Sequence, residues 1–230
     1  MCGRAYQTFT EDELALRYLT ERSKRRPIPP IKFNFNLAPT QISPIILVQD
    51  GDRRIGLFRW GIIPFWAKDV QSASKYSLIN AKSEEITEKR SYKVPFQKQR
   101  CIVPVSGFFE WKKSGVSPKS PFAIQAKDHS ILSMAGIWEH WKSKDSEEEV
   151  WSFSIITTSP NSVIKKIHDR MPVILEPSEE AQWLNPENQN VIALKKALKP
   201  CPDSLLEAYE VSTLVNSPKN NRKEILEPLD

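Results

Sequence analysis

The 230 residues hold 33 Lys and Arg against 28 Asp and Glu, a net charge of +5, with 40% hydrophobic and 27% charged residues. This is ordinary globular usage and excludes a disordered chain, and no apolar run approaches the roughly 18 residues of a membrane helix. Three cysteines, at positions 2, 101 and 201, are odd in number and far apart, which argues against a disulfide framework and a zinc knuckle.

Taken in chain order, Thr10 and Glu13 are spaced as a capping box, with Phe9 and Leu14 as its hydrophobic staple. They predict a helix to about Arg22 that buries Leu14, Leu16 and Leu19. A basic, proline-rich connector occupies residues 23–32. Residues 45–49 and 55–60 read as strands joined at Asp50-Gly51, a strong hairpin signal. Residues 83–90 predict a short helix. Strands are expected at 101–104, 108–112, 121–125, 131–138 and 151–157, with the acidic run 147–149 as a solvated turn. A helix capped by Ser159 or Asn161 is expected at 161–168, a short strand at 173–175, and helices at 178–184 and 191–198. Strands in the middle and helices at the ends, without βαβ alternation, predict a single α+β domain over residues 1–230.

Seven glycines form neither a GxGxxG nor a GxxxxGK[ST] phosphate cradle. The positive charge permits a polyanionic partner. Trp60 and Trp66 bracket a proline-containing stretch that reads as a loop, and aromatics on a basic loop are what a single-strand binder uses to stack bases. The first residues carry no apolar signal region, so a soluble protein of a reducing compartment is expected: cytoplasmic, and nucleoid-associated in a bacterium.

Cys2 carries the most chemistry. Trimming of Met1 would leave an N-terminal cysteine whose α-amine and thiol have reference pKa values near 8. That pair condenses with an aldehyde to a five-membered thiazolidine. The same thiol, with the amine as its base, can instead attack a carbonyl. Glu110 lies in the apolar run Gly-Phe-Phe-Glu-Trp-Lys, where a desolvated carboxyl would exchange protons near neutrality; the plainer alternative is an outward residue paired with Lys112. His168 is the best candidate among three histidines, and Asn80 could orient a substrate or cap a helix. Glutamine amidotransferases of the cysteine type also begin Met-Cys-Gly, so an N-terminal-nucleophile amidohydrolase is an alternative, as is nucleic-acid binding with Cys2 incidental.

Eight segments in order resemble the SRAP family (SOS response-associated peptidase), across nearly the whole chain. They are Met-Cys-Gly-Arg at the start, Asn-Leu-Ala-Pro ending at Pro39, Trp-Gly-Ile-Ile-Pro-Phe-Trp-Ala from Trp60, and Ile-Asn-Ala around Asn80. Cys-Ile-Val-Pro from Cys101, Gly-Phe-Phe-Glu-Trp-Lys around Glu110, Ile-His-Asp-Arg-Met-Pro around His168 and Val-Ser-Thr-Leu-Val-Asn from Val211 complete them. The resemblance implies a barrel-like, mostly antiparallel β core flanked by helices, and covalent trapping of abasic sites in single-stranded DNA by a monomer. Autopeptidase and lyase activities are implied at its margins, with no metal or cofactor. It implies Cys2 as the crosslinking residue, Asn80 holding the N-terminus, Glu110 as acid and base, and His168 assisting opening of the deoxyribose ring. Arg4, Trp111 and Arg170 would contact DNA or line the site, and Pro39, Phe65 and Trp66 would form a wedge between bases. Lys82 stands where the family often has arginine, which keeps the charge but loses bidentate phosphate geometry. Ala5 stands where an aromatic is common.

Overall fold

In the computed structural model, which describes residues 2–25, 27–112 and 120–229, the chain reverses at Asp50-Gly51 with both residues at positive φ (53° and 76°). That geometry matches the right-handed twist of the strands it joins. These are β3 (Ile42–Gln49) and β4 (Asp52–Trp60); before them come β1 (Ala5–Gln7), α1 (Glu11–Tyr18) and β2 (Asn34–Leu37). After them follow α2 (Val70–Ser74), β5 (Asn80–Lys82), α3 (Arg90–Lys98), β6 (Arg100–Val105), β7 (Gly107–Lys112) and β8 (Ser120–Ala126). The chain continues through β9 (Leu132–Lys142), β10 (Glu149–Thr158), α4 (Ser162–Lys165), β11 (Met171–Pro172), α5 (Pro177–Leu184), α6 (Val191–Lys196) and β12 (Leu206–Glu210).

Five strands close on themselves. β3 pairs antiparallel with β4 and β6, β6 with β9, and β9 with β10, which returns parallel to β4. A second sheet runs β12-β8-β7-β1-β2. Alternation along the closed strands sorts two cores. Ile45, Leu47, Cys101, Val103, Phe153 and Ile155 join one cluster with Phe108 and Ile124 of the second sheet. Ile46, Ile102, Ala135, Ile137 and Ile156 join the other, with Leu14, Phe96, Trp183 and Leu194 of the helices. Both faces of β3, β6 and most of β9 and β10 are buried, which is why they read as near-continuous apolar runs. The expected α+β class with a barrel-like β core is what the chain adopts; the parallel pairs of β10 with β4 and β5 are the departures from antiparallel order.

Several local expectations are corrected. The first helix ends at Tyr18, because Thr20 and Ser23 bond one another and the Ser23 amide donates to the Thr20 hydroxyl, a competing turn. Its short buried stripe is Leu14, Ala15 and Tyr18, so Leu16 is 78% exposed and Leu19, half-buried, caps the helix end. Residues 83–88 form successive turns, and the helix begins only at Arg90. Pro95 lies inside it, where a proline ordinarily argues against a helix. Asn161, not Ser159, caps a helix that stops at Lys165. In place of a strand at 173–175 there is β11, and Ile174 makes a single bridge to Met134. Glu149 belongs to β10 rather than to the turn. Within the basic connector, residues Ser23–Arg25 form a 3-10 turn, and Arg26 lies outside the described residues.

Candidate active site

β1 carries the N-terminus into the core. It lies antiparallel between β2 and β7, with Ala5 opposite Leu37 on one side and Phe108 on the other, and the Phe109 N–H donates to the Arg4 carbonyl at 2.9 Å. Ala5 and Phe108 face the barrel-side core, while Tyr6 and Phe109 face a cluster on the opposite side of the sheet. Glu110, two residues beyond Phe108, therefore returns to the face on which Cys2 is packed. Cys2 and Glu110 are 0% and 2% exposed. Glu110 is thus not the outward partner of Lys112.

Asn80 reaches Cys2 from the barrel. Its Nδ2 donates to the Cys2 carbonyl at 2.7 Å, and its own carbonyl accepts the Tyr92 hydroxyl of α3 at 3.0 Å. The Asn80 Oδ1 is buried without a hydrogen-bond partner among the described residues. His168 closes the site from the turn after α4, its amide donating to the Ile164 carbonyl. The Arg170 amide donates to His168 Nδ1 at 3.0 Å, so the neutral ring carries its proton on Nε2. Asp169 also lies 3.0 Å from Nδ1, but it is 86% exposed; water screens it, and the amide decides the tautomer. Nε2 stands 3.9 Å from Glu110 Oε2, beyond a direct hydrogen bond but close enough for a small movement or one water to connect them.

Burial, and next the Glu110 charge, holds the Cys2 thiol well above its usual range, so the resting sulfur is protonated. Burial raises Glu110 to about 7, with Asp169 adding to the rise and the positive amino terminus opposing it. A carboxyl poised there both accepts and donates protons at neutral pH. Cys2, Asn80, Glu110 and His168 thus converge from β1, β5, β7 and the α4 turn.

The residues expected at DNA are more dispersed. Arg4 is turned to the opposite face, donating to Asn36 Oδ1 at 2.7 Å and to the Val215 carbonyl at 2.8 Å, 5.9 Å from the Trp111 ring. Trp111 Nε1 donates to Asn216 Oδ1 at 2.7 Å. Arg170 holds Glu84 bidentately at 2.8 and 2.9 Å and the Thr157 carbonyl at 2.7 Å, and Lys82 lies 3.5 Å from Glu85. Trp60 is core, stacked on Phe153. Phe65 is half exposed and Trp66 half-buried, with the Arg90 guanidinium 5.7 and 5.5 Å from their rings. Pro39 shares a small cleft with residues 61–63. Beside it Thr40 sits at φ 75°, a left-handed conformation that a β-branched residue adopts only under strain, as at ligand clamps. Sequence reading missed Tyr92, Glu84, Thr40 and Arg90. Lys89-Arg90 beside an aromatic segment was a usable signal for the last; the others act through contacts between distant segments.

A fully buried cysteine, held through its carbonyl by Asn80, shares its buried face with Glu110, whose carboxyl lies beside the His168 ring. A family model described as SOS response associated peptidase (SRAP) matches residues 1–218, and the chain belongs to that family. It is 39% identical to the abasic site processing protein YoaM of Bacillus subtilis, over 99% of this chain and 98% of that one. It is 31% identical to the abasic site processing protein HMCES of Pongo abelii, over 100% of this chain and 77% of that one. A crystal structure of a Bacteroides thetaiotaomicron protein superposes with a TM-score of 0.84 at 32% identity, covering 99% of this chain and 100% of that one. No helix among the described residues is long and apolar enough to cross a membrane.

Proposed function

We propose that this protein processes abasic sites in single-stranded DNA, trapping the exposed aldehyde on Cys2. The reading is carried by one observation: Asn80 grips the Cys2 carbonyl at 2.7 Å while Glu110, raised to about 7, shares its buried face. Met1 lies outside the described residues. Hydrolysis of the Met1–Cys2 bond frees the α-amine, with Glu110 as the base of this self-removal step. His168, its proton on Nε2, assists opening of the deoxyribose ring to the aldehyde. The amine adds to C1′, water leaves, and an imine forms. The thiol then adds across the C=N bond, making the S–C1′ bond and passing its proton to nitrogen, for a net loss of one water. Glu110 relays the protons. Phe65 and Trp66 offer ring faces to neighbouring bases. All four central residues come from one chain, so a monomer suffices.

The test is a denaturing gel with mass spectrometry on single-stranded DNA carrying one abasic site. The mature protein should give a heat-stable adduct that lacks one water, and intact DNA should give none. Cys2→Ala keeps the amine and should give only a hydrolysable imine, with strand scission by β-elimination. An equally stable adduct from Cys2→Ala would refute the thiazolidine.

A further inference from the structure

The cationic side chains nearest the site are largely engaged within the protein. Arg4 donates to Asn36 and to the carbonyls of Val215 and Asn216. Arg170 is spent on Glu84 and Thr157, and Lys82 is paired with Glu85. Arg170 and Lys82 each face a carboxylate, and Arg4 Nη1 is committed to neutral acceptors within the fold.

One cleft beside the site differs. It encloses about 550 Å³ and is lined by Lys112, Pro160, Lys165, Lys166, His168 and Asp169, with Ile167 between. Lys112 ends β7, two residues after Glu110; Lys165 ends α4 and Lys166 caps it. All three lysines are exposed, and none has a carboxylate within 4 Å among the described residues. The one acid on the wall, Asp169, is 86% exposed and lies 3.0 Å from His168 Nδ1. Three unneutralised ammonium groups from two separate elements therefore surround a hollow that includes an active-site ring. Their mutual repulsion is a standing cost that a bound polyanion relieves.

We propose that this cleft is a phosphodiester subsite, holding the single strand where it passes His168. The assignment rests on the proposed function for the identity of the strand, but not for the chemistry of the cleft. Lysines are mobile point charges rather than bidentate forks, suited to a backbone held without regard to sequence. The subsite lies adjacent to the reacting sugar, so its phosphate is one of the two linkages flanking the abasic nucleotide.

The test is fluorescence anisotropy with single-stranded DNA across a salt series, comparing the parent with K112Q/K165Q/K166Q. Each phosphate neutralised on a single strand contributes about 0.7 to the slope of log K against log salt, so the triple variant, which gives up the one linkage held in the cleft, should lose about 0.7. A control triple, K93Q/K98Q/K144Q, removes the same charge from exposed lysines elsewhere and should keep most of the slope. A parental slope in the cleft variant, or an equal loss in the control, overturns the proposal. DNA with a tetrahydrofuran abasic analogue, which has no aldehyde, is then made with a neutral methylphosphonate at the linkage 5′ or 3′ of it. One of these should weaken the parent several-fold and leave the cleft variant unaffected; if neither couples to the lysines, the subsite is wrong. The parent's adduct with aldehyde-bearing DNA is measured in parallel. No adduct together with the expected slope loss would remove the proposed function and keep the subsite, whereas an adduct with no slope loss would do the reverse.

Discussion

Replacing Glu110 by glutamine should stabilise the protein at high pH while impairing its chemistry. The carboxyl is 2% exposed and burial raises it from an ordinary 4.5 to about 7. At about 1.4 kcal/mol per unit, the folded state prefers the neutral form by about 3 kcal/mol. Because the folded value lies above the unfolded one, folding carries no penalty below about pH 4.5, where both states are neutral. Stability then falls as pH rises through about 7, and above that the full amount is lost. Glutamine has the same shape and no charge at any pH. Glu110→Gln should therefore match the parent at pH 4 and exceed it by about 3 kcal/mol at pH 8.5, or roughly 6–12 °C in a chain of this length. Urea unfolding at pH 4, 6, 7 and 8.5 measures the difference directly. An offset independent of pH, or a variant less stable at pH 8.5, would show that Glu110 is not held in this strained state. The same variant should lose the inflection near pH 7 in the rate of adduct formation, which the parent should display.

Three further outcomes are expected. Asn80→Ala removes a buried hydrogen bond to Cys2 and should slow adduct formation tenfold or more in single-turnover gels, at a stability cost of roughly 1–3 kcal/mol by denaturation. Arg100 is 3% exposed and donates to the carbonyls of Phe96, Gln97, Trp183, Asn185 and Asn188 at the ends of α3 and α5. Arg100→Met should cost about 3–5 kcal/mol in urea unfolding, because those carbonyls lose their donor together. Leu16→Lys should change stability by less than about 0.5 kcal/mol, since Leu16 is 78% exposed.

The barrel was legible where local chemistry and tertiary need agree. Asp50-Gly51 demanded a hairpin, and β6, β9 and β10 had enough apolar residues to be strands whatever surrounded them. The elements not foreseen, β1, β2, β5 and β12, are three to five residues long and carry little periodicity. They are strands because a neighbour offers an edge: β5 exists by pairing Asn80 and Lys82 with Ile155 and Thr157 of β10. Helix α3, whose Pro95 argues locally against a helix, is fixed by Arg100 on its last carbonyls and by its own Tyr92 on Asn80.

The site shows the same division. Glu110 was conspicuous because a carboxylate in an apolar strand needs a reason, and the alternation of β7 supplies the face it occupies. Cys2 was conspicuous by position. What no single segment could reveal is which charges remain available once the chain has folded. Arg4 and Arg170 look in sequence like phosphate ligands, yet folding directs the first to Asn36 and Val215 and the second to Glu84 and Thr157. Lys165 and Lys166 look like an ordinary solvated helix end, yet the short α4 leaves them unpaired beside His168. Charge in the sequence counts the cations; pairing in the fold decides which of them can still attract a nucleic-acid backbone. Arg170, held in a bidentate pair whose Glu84 partner is 54% exposed, can reach a phosphate only by exchanging one anion for another, whereas the three cleft lysines have no carboxylate within 4 Å among the described residues to displace.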